Sequence, residues 1–337
     1  MALYNRINGR TLKAQMRSES EKRVTISFYR YHIISDTQSF RDGLYANLEV
    51  LGILGRIYVA HEGINAQVSV PEKELVNFRT YLYGIPFLEG VRLNTAIQDN
   101  GKSFFKLKIL VRKKIVADGL EDNAFDMRNT GTHVDAQAFN KLADDPDTLI
   151  VDMRNHYESE VGRFQNAVCP DVDTFREELS AVEELMKDHR DKKLLMYCTG
   201  GIRCEKASAW MKHQGFKNVF QLDGGIIEYS RQVKESGIEN KFIGKNFVFD
   251  ERLGERISDD IIAVCHQCGQ PCDDHTNCRN DGCHLLFIQC KDCAARYQQC
   301  CSEACMEVMS LPESEQKEIR RGINKGRQVF KKGRKNT

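Results

Sequence analysis

The segment 197–207, YCTGGIRCEKA, contains residue types that together can make a cysteine nucleophilic. Cys198 directly follows an apolar run, and helical periodicity resumes near Arg203. Glycines between them let the backbone adopt positive φ and direct N–H groups into one concavity, at which the next helix N-terminus also points. We therefore expect a Cys198 thiolate of lowered pKa facing an anion-sized pocket. The other residues of this Cys198 loop (198–203) are Thr199, Gly200, Gly201, Ile202 and Arg203.

The alternative for Cys198 is a buried and inert cysteine at a strand end, the usual fate of a free thiol. The glycine turn and the C-x4-R spacing favour the reactive thiolate. For Cys204, one residue past Arg203, we favour a small packing residue over a resolving thiol. Cys169 we interpret as structural.

Ten of the 13 cysteines lie between residues 265 and 305, a density that indicates metal ligation. Two C-x2-C pairs separated by 21 residues predict a closed tetrahedral zinc site formed by Cys265, Cys268, Cys290 and Cys293. A second zinc ion would be held by Cys278, Cys283, Cys305 and either Cys300 or Cys301. Cys272, His275 and His284 remain alternative ligands, and iron–sulfur or redox use is the alternative chemistry. Both ions would be structural, and the segment needs them to fold.

Charge is distributed unevenly along the 337 residues, although the net charge is only +1. Residues 1–132 carry 19 basic against 14 acidic side chains, residues 133–264 carry 18 against 25, and residues 265–337 carry 12 against 9. Eight of the last 18 residues are basic and none is acidic. Basic ends around an acidic middle favour a protein that grips a polyanion away from its reaction centre, and an ordinary solvated tail is the alternative.

The first segment predicts a ferredoxin-like βαββαβ domain, in which an antiparallel sheet carries helices on one face. Strands are predicted at 24–29, 55–59, 64–70 and 104–111, with helices over 39–52 and from Pro71 to 83. The middle segment predicts an α/β unit with a parallel sheet. Its apolar runs are 149–152, 194–197 and 219–222, and its helices 173–188, 203–214 and 225–236.

Motifs around the Cys198 loop resemble the rhodanese family. They are Asp152-Met153-Arg154, Glu158, the segment 162–167 and Asp223-Gly224-Gly225, with Arg163-Phe164 standing where many rhodaneses have His-Ile. This resemblance implies persulfide chemistry at Cys198. Blocks at 60–71, 152–158, 196–216, 242–262 and 265–290 extend the likeness, and over nearly its whole length the chain resembles the bacterial tRNA uridine(34) hydroxylases. That family implies oxygen-dependent formation of 5-hydroxyuridine at the wobble position of tRNA.

We accordingly expect an α/β multidomain protein with six parts. They are a ferredoxin-like (acylphosphatase-like) domain at 1–115, a linker at 116–132, a rhodanese-like catalytic domain at 133–240, a connector at 241–264, a zinc module at 265–310 and a basic tail at 311–337.

Basic residues of the first domain are candidates for phosphate contacts with RNA. They are Arg30, Arg56, Lys106, Lys108, Arg112, Lys113 and Lys114, for which a solvated polar sheet face is an equal alternative. His61 and Glu62 lie in a strand-joining turn, where they could transfer protons or contact a base edge. A turn stabilised by the neighbouring glycine and asparagine explains this segment equally well.

The leading hypothesis is a tRNA-modifying oxidoreductase that uses O2, depends on Cys198 and Arg203, and contains two structural zinc ions. Cys198 would add to C6 of the pyrimidine or carry the activated oxygen or sulfur itself. A rhodanese-type sulfurtransferase and a non-catalytic zinc-dependent RNA-binding protein are the alternatives. The sequence shows no flavin, haem or two-His-one-carboxylate motif, and it identifies neither an electron donor nor a protein partner. Without an apolar run of about 18 residues or a signal-peptide core, we expect a cytoplasmic protein.

Overall fold

The structure is a computed structural model and describes residues 3, 7–121, 124–322 and 328–330. Its first part forms a five-stranded sheet. The elements, in chain order, are α1 (Gly9–Ser18), β1 (Arg23–Tyr31), α2 (Thr37–Val50), β2 (Leu54–Ala60), β3 (Gly63–Pro71), α3 (Leu75–Tyr83), β4 (Asn94–Thr95) and β5 (Leu107–Val111). The strand order is β4-β1-β3-β2-β5. Pro71 ends β3 and a 3-10 turn follows it, so α3 begins four residues later than predicted.

The ferredoxin-like arrangement is confirmed, but its fourth strand is a different segment. The short β4 pairs antiparallel with β1 and occupies that place. Residues 107–111 of the predicted strand 104–111 instead form β5, which runs parallel to β2 at the opposite edge of the sheet. The prediction of a wholly antiparallel sheet was therefore wrong. Two residues are too few to show the alternation that identifies a strand, whereas the run at 104–111 shows it clearly.

The two faces of this sheet differ in composition. One face packs Phe28, Ile57 and Ala66 against the helices α2 and α3 in a closed core. The other face, which we call the open face, carries mostly polar and tyrosine side chains from β1, β2 and β3. They are Thr25, Ser27, Tyr29, Arg56, Tyr58, Asn65 and Gln67. The polar side chains of this face can form hydrogen bonds with another part of the chain.

The second part is a four-stranded parallel sheet with helices on both faces. Its elements are β6 (Thr132–Val134), α4 (Ala136–Ala143), β7 (Thr148–Asp152), α5 (His156–Ser159), β8 (Gly162–Phe164), α6 (Phe175–Met186), β9 (Lys193–Tyr197), α7 (Ile202–His213), β10 (Val219–Leu222) and α8 (Gly225–Ser236). The sheet order is β6-β10-β9-β7. The three predicted strands and three predicted helices are confirmed. The fourth strand, β6, escaped prediction because three residues show no periodicity.

The remainder combines short strands and helices around cysteines. It contains β11 (Phe242–Asn246), β12 (Glu255–Arg256), β13 (His275–Asn277), β14 (Leu285–Ile288), α9 (Lys291–Arg296), α10 (Glu303–Ser310), α11 (Glu313–Ile319) and β15 (Gln328–Val329). Cysteines form much of its interior, and the cluster around Cys265 and Cys293 packs against Tyr157 and Phe247. Of the predicted basic tail, α11 and 328–330 are described, while 323–327 and 331–337 lie outside the described residues. No helix in the described ranges has the length and apolar character to cross a bilayer.

Candidate active site and metal centres

Cys198 lies at the carboxyl end of β9, and its side chain is buried. The loop turns at Gly201, whose φ of 96° suits glycine, and α7 begins at the next residue. The amide of Gly201 donates to Cys198 Sγ at 3.2 Å. The amides of Arg203 and Cys204 and the Cys204 thiol lie close enough to this sulfur to lower its pKa. The concavity of backbone donors predicted from the sequence is therefore present.

These donors determine the ionisation of Cys198. Burial raises the pKa of the thiol, but donation from Cys204, the charge of Arg203 and the backbone amides outweigh burial and lower the pKa to about 6. At pH 7 about nine-tenths of the sulfur is therefore thiolate. The Cys204 thiol moves the other way, because burial and the neighbouring Cys198 hold its pKa well above the usual range.

Arg203 is held by a bidentate ion pair rather than pointing freely at the sulfur. Its Nη1 and Nη2 donate to the two carboxylate oxygens of Glu158 at 2.6 Å and 2.8 Å, and both side chains are buried. Burial raises the pKa of Glu158, but the guanidinium outweighs it and keeps the carboxyl ionised. Removing one partner of such a buried pair costs about 3–5 kcal/mol, so the pair fixes the geometry of the loop.

A second glycine turn holds the loop from the α8 side. The amides of Ile226 and Ile227 donate to the carbonyl oxygens of Cys198 and Thr199 at 3.0 Å and 3.2 Å. A Cβ at Gly225 would lie 2.5 Å from the carbonyl oxygen of Cys198, so only glycine allows this approach. The sequence 223–225 is thus explained by contact with the loop.

The open face of the first sheet covers the Cys198 loop. Tyr31 Oη donates to the carbonyl oxygen of Ile202 at 3.1 Å, and Tyr29 Oη donates to Glu205 at 3.1 Å. Lys206 of α7 is buried between Glu62 Oε2, at 2.6 Å, and Asp118. These contacts enclose the thiolate between two domains.

A cavity of about 350 Å³ remains between the Cys198 loop and the open face. Its lining includes Cys198, Thr199, Gly200, Ile202, Arg203, Ser27, Tyr29, Arg56, Tyr58, Asn65, Gln67, Asn94, Phe249 and Glu255. Three of its polar atoms are buried without a hydrogen-bond partner among the described residues: Asn94 Oδ1, Arg56 Nε and Glu255 Oε2. The Asn94 side chain lies beside Gly200, within 3.8 Å of where a Cβ there would stand. The cavity is therefore polar on its sheet side and presents unpaired groups to any occupant.

The predicted RNA contacts do not form one surface. Arg56 belongs to the open face, whereas Arg30 pairs in register with Ile64 of the core face, so these two residues lie on opposite faces of the sheet. Lys108 pairs in register with Arg56 and is exposed at the sheet edge. Lys106 lies over the Phe105 ring at 5.5 Å, and Arg112 lies over the Tyr58 ring at 5.7 Å.

A larger groove of about 1280 Å³ collects the remaining candidates. Arg30, His61, Glu62, Lys113 and Lys114 line it. Glu62 accepts from the amide of Ile115 at 2.7 Å as well as from Lys206, so its carboxylate is committed to the domain interface. His61 Nδ1 lies 3.1 Å from the carbonyl oxygen of Ile34. This favours the structural interpretation of the turn over proton transfer.

The C-terminal cysteines form two separate four-sulfur groups. One consists of Cys265, Cys268, Cys290 and Cys293, and the other of Cys278, Cys283, Cys301 and Cys305. Pairs from the two groups alternate along the chain, as predicted. Cys300, the open alternative, lies outside the second group, as do Cys272, His275 and His284.

The sulfur spacing fits tetrahedral zinc. Zinc–sulfur bonds of about 2.3 Å place tetrahedral sulfurs about 3.8 Å apart. Cys268 and Cys290 are separated by 3.7 Å between sulfurs, as are Cys283 and Cys301. Four thiolates fill the coordination sphere, so such ions would be structural.

Sequence reasoning did not find three features of the site. Cys204, for which a packing role was favoured over that of a resolving thiol, lies close enough to Cys198 to lower its pKa. Asn94 and Glu255 enter the cavity from β4 and β12, which are too short to show a pattern. The alternation of side chains along β2 could have placed Arg56 on the open face, but only after the neighbouring strands of β2 were known.

The first prediction concerns the ionisation of Cys198. The thiolate absorbance near 240 nm that Cys198→Ser removes should rise with pH through a midpoint near 6, since the folded pKa lies below the ordinary value. Cys169→Ser is the control, because burial raises the pKa of that thiol to about 12. A Cys198 midpoint near 8.5 would contradict the prediction.

The second prediction separates the two adjacent cysteines. Purified protein should contain about two zinc ions per chain by elemental mass spectrometry. Cys301→Ser should lose about one ion, because it removes a sulfur of the second group, whereas its neighbour variant Cys300→Ser should keep both. Loss of zinc in Cys300→Ser but not in Cys301→Ser would reverse the assignment.

Comparison with known proteins places these features in a family. Three family models match the chain: "UPF0176 acylphosphatase like domain" over 23–115, "Rhodanese-like domain" over 135–232 and "Rhodanase C-terminal" over 243–306. A solved rhodanese-like domain from Anabaena sp. covers 33% of this chain and 78% of its own, with 16% identity and a TM-score of 0.27.

Curated relatives match the chain almost from end to end. Proteins called tRNA uridine(34) hydroxylase from Enterobacter sp. (strain 638), Salmonella arizonae and Escherichia fergusonii are each 57% identical over 333 residues. These alignments cover 98% of this chain and 95% of each relative. The chain belongs to the tRNA uridine(34) hydroxylase family.

Proposed function

We propose that this protein hydroxylates C5 of the uridine at position 34 of tRNA in an O2-dependent reaction, and that Cys198 is essential. The observation that carries the proposal is a buried sulfur of lowered pKa that lines a cavity whose polar groups include three without a hydrogen-bond partner among the described residues. The family relationship supplies the substrate class. Since tRNA is cytoplasmic, we place the protein there too.

The size and enclosure of the cavity suit a base that has left its stack. Its volume of about 350 Å³ lies at the lower end of the range of small-molecule sites, about 300–1,000 Å³. Enzymes that act on a base extrude it into such a pocket. The free-energy cost of unstacking and unpairing is lowest for an unpaired base in a single-stranded loop. The wobble base of an anticodon loop meets this condition.

The unpaired groups match the hydrogen-bonding edge of uracil, where two carbonyl oxygens flank an N3–H donor. Arg56 Nε can only donate, so it suits a carbonyl oxygen, while Asn94 Oδ1 and Glu255 Oε2 can accept from N3–H. Each of these atoms is buried without a partner among the described residues and gains a hydrogen bond when the base enters.

The larger groove provides a path for the RNA strand. It shares Tyr29, Asn94 and Gly200 with the cavity, so a strand lying in the groove can place one base inside. Arg30, Lys113 and Lys114 line this groove and would contact phosphates. Lys106, Lys108 and Arg112 stay candidates for a more distant part of the tRNA.

Two chemical roles suit the Cys198 thiolate. Addition to C6 would make C5 electron-rich, and a donor such as Arg56 would stabilise the charge that develops on O4. Alternatively, the sulfur would accept an oxygen atom during the reaction. Arg203 supports either role by fixing the loop.

We propose the two four-cysteine groups as structural zinc sites and retain the domain boundaries given above.

The third prediction tests the function and its alternatives together. tRNA from a deletion strain complemented with Cys198→Ser should contain at least about 100-fold less 5-hydroxyuridine than the wild-type complement, because the variant lacks the nucleophile. Nucleoside mass spectrometry provides the measurement, and Cys169→Ser is the matched control.

Other results of that experiment would identify the alternatives. Loss of thiolated nucleosides with normal 5-hydroxyuridine would indicate a sulfurtransferase. An unchanged nucleoside profile in the deletion strain itself would indicate an RNA-binding protein without this activity.

The fourth prediction concerns the cavity wall. Asn94→Ala should raise KM for tRNA about 2- to 12-fold with little change in kcat, since one hydrogen bond contributes about 0.5–1.5 kcal/mol. Steady-state kinetics with purified tRNA provides the measurement. Lys187→Ala, exposed on the C-terminal side of α6, is the control and should behave as wild type. Wild-type KM in Asn94→Ala would exclude this residue from base recognition.

A further inference from the structure

We propose that Cys198 and Cys204 form a redox-active dithiol that provides the two electrons consumed by the hydroxylation. This inference rests on the proposed function and identifies the electron donor of the same site. It assigns to Cys204 a catalytic role in contact with the reacting sulfur.

The two sulfurs are placed together by the fold. Cys198 ends β9, and Cys204 lies in the first turn of α7, six residues later. Both side chains are buried in one core cluster, and the Cys204 thiol is close enough to Cys198 Sγ to act on its pKa. Cys169, by contrast, directs its sulfur to the carbonyl oxygen of Ala167 at 3.7 Å. Two cysteines in one cluster on either side of a tight turn are the arrangement from which a disulfide can form.

The two thiols also differ in protonation. Cys198 is the thiolate, whereas Cys204 keeps its proton because its pKa is held above the usual range. One nucleophilic sulfur and one protonated partner make up the usual resting state of a reactive dithiol. The buried pair is separated from bulk solvent by the open face of the first sheet, so unrelated oxidants reach it slowly.

The electron count of the reaction requires a donor. Reduction of O2 takes four electrons, and conversion of C5–H to C5–OH provides two. In the first step the C5–O bond forms, the O–O bond breaks, and the second oxygen atom is transferred to Cys198 as a sulfenic acid. In the second step Cys204 attacks that sulfur, an S–S bond forms, and the oxygen leaves as water.

The overall reaction is balanced in atoms and electrons. Uridine, O2 and two thiols give 5-hydroxyuridine, water and one disulfide. The hydrogen from C5, the thiol hydrogen of Cys204 and one solvent proton, which replaces the one that Cys198 released on ionising, are recovered in the new hydroxyl group and in water. An external thiol reductant then restores the dithiol by thiol–disulfide exchange.

A single-turnover experiment tests this inference. Fully reduced enzyme, freed of reductant, is mixed with unmodified tRNA in air, and nucleosides and tryptic peptides are measured by mass spectrometry. We expect about one 5-hydroxyuridine per chain, an equal amount of Cys198–Cys204 disulfide, and no disulfide without tRNA. Adding dithiothreitol should restore turnover.

Variants at position 204 separate this inference from the proposed function. At a pH that keeps Cys198 ionised without the Cys204 thiol, Cys204→Ser and Cys204→Ala should complete the first turnover, accumulate a dimedone-reactive sulfenic acid on Cys198, and turn over at least about 10-fold more slowly with dithiothreitol than wild type at the same pH. Cys169→Ser should match wild type. Product without disulfide in the wild type, or full turnover without sulfenic acid in both variants, would overturn the dithiol and leave the hydroxylase intact. Absence of 5-hydroxyuridine from wild type with dithiothreitol would instead overturn the proposed function.

Discussion

A negative charge on a sulfur atom that water scarcely reaches must be balanced by the atoms in direct contact with it. At Cys198 this constraint is met by a thiol donor and by backbone amides at the start of α7. Arg203 has two roles, because Glu158 binds both ends of its guanidinium fork while its charge still lowers the pKa of Cys198. The arginine therefore fixes the turn, and it shares the stabilisation of the sulfur charge with Cys204 and the amides. The close approach of Gly225 to the loop carbonyls follows from the same requirement, since those carbonyls must point away from the sulfur.

The second consequence of this constraint is that the thiolate needs a cover. The open face of the first sheet supplies this cover. Its polar side chains exclude water and can also form hydrogen bonds with a particular ligand. Tyr29 and Tyr31 bond to α7 and to the loop, while Arg56 and Asn94 line the cavity with buried atoms that have no hydrogen-bond partner in the described part of the chain. A sheet face that packed apolar side chains on the loop would bury Cys198 equally well but would offer a pyrimidine nothing to bond. The site is thus a product of both domains, and neither contains it alone.

Features that depend on residues close together in the sequence could be predicted from it, whereas features that depend on contacts between distant segments could not. The loop around Cys198, the strands β7, β9 and β10, and the first four-cysteine group all follow from local patterns. The roles of Cys300 and Cys301 could not be assigned, because neighbours differ only in the direction that the chain takes between β14 and α10. The exchange of β4 for β5 depends on which sheet edge a segment reaches, and so does the entry of Asn94 into the cavity. The proximity of Cys204 to Cys198 could not be predicted, because the two residues are joined by a turn whose geometry the sequence does not specify.

The cysteine-rich segment contributes to the same site through α5. Glu158 lies in this four-residue helix, which is too short to be stable without support from its neighbours. Tyr157 of α5 packs in one cluster with Cys265 and Cys293. His266, which follows Cys265 in the sequence, forms a hydrogen bond of 2.9 Å with Glu160. A metal ion bound by Cys265, Cys268 and their partners would therefore also fix the position of α5, and with it the carboxylate that holds Arg203. A closed metal site that takes no part in chemistry would in this way still determine the shape of the loop around the reactive sulfur.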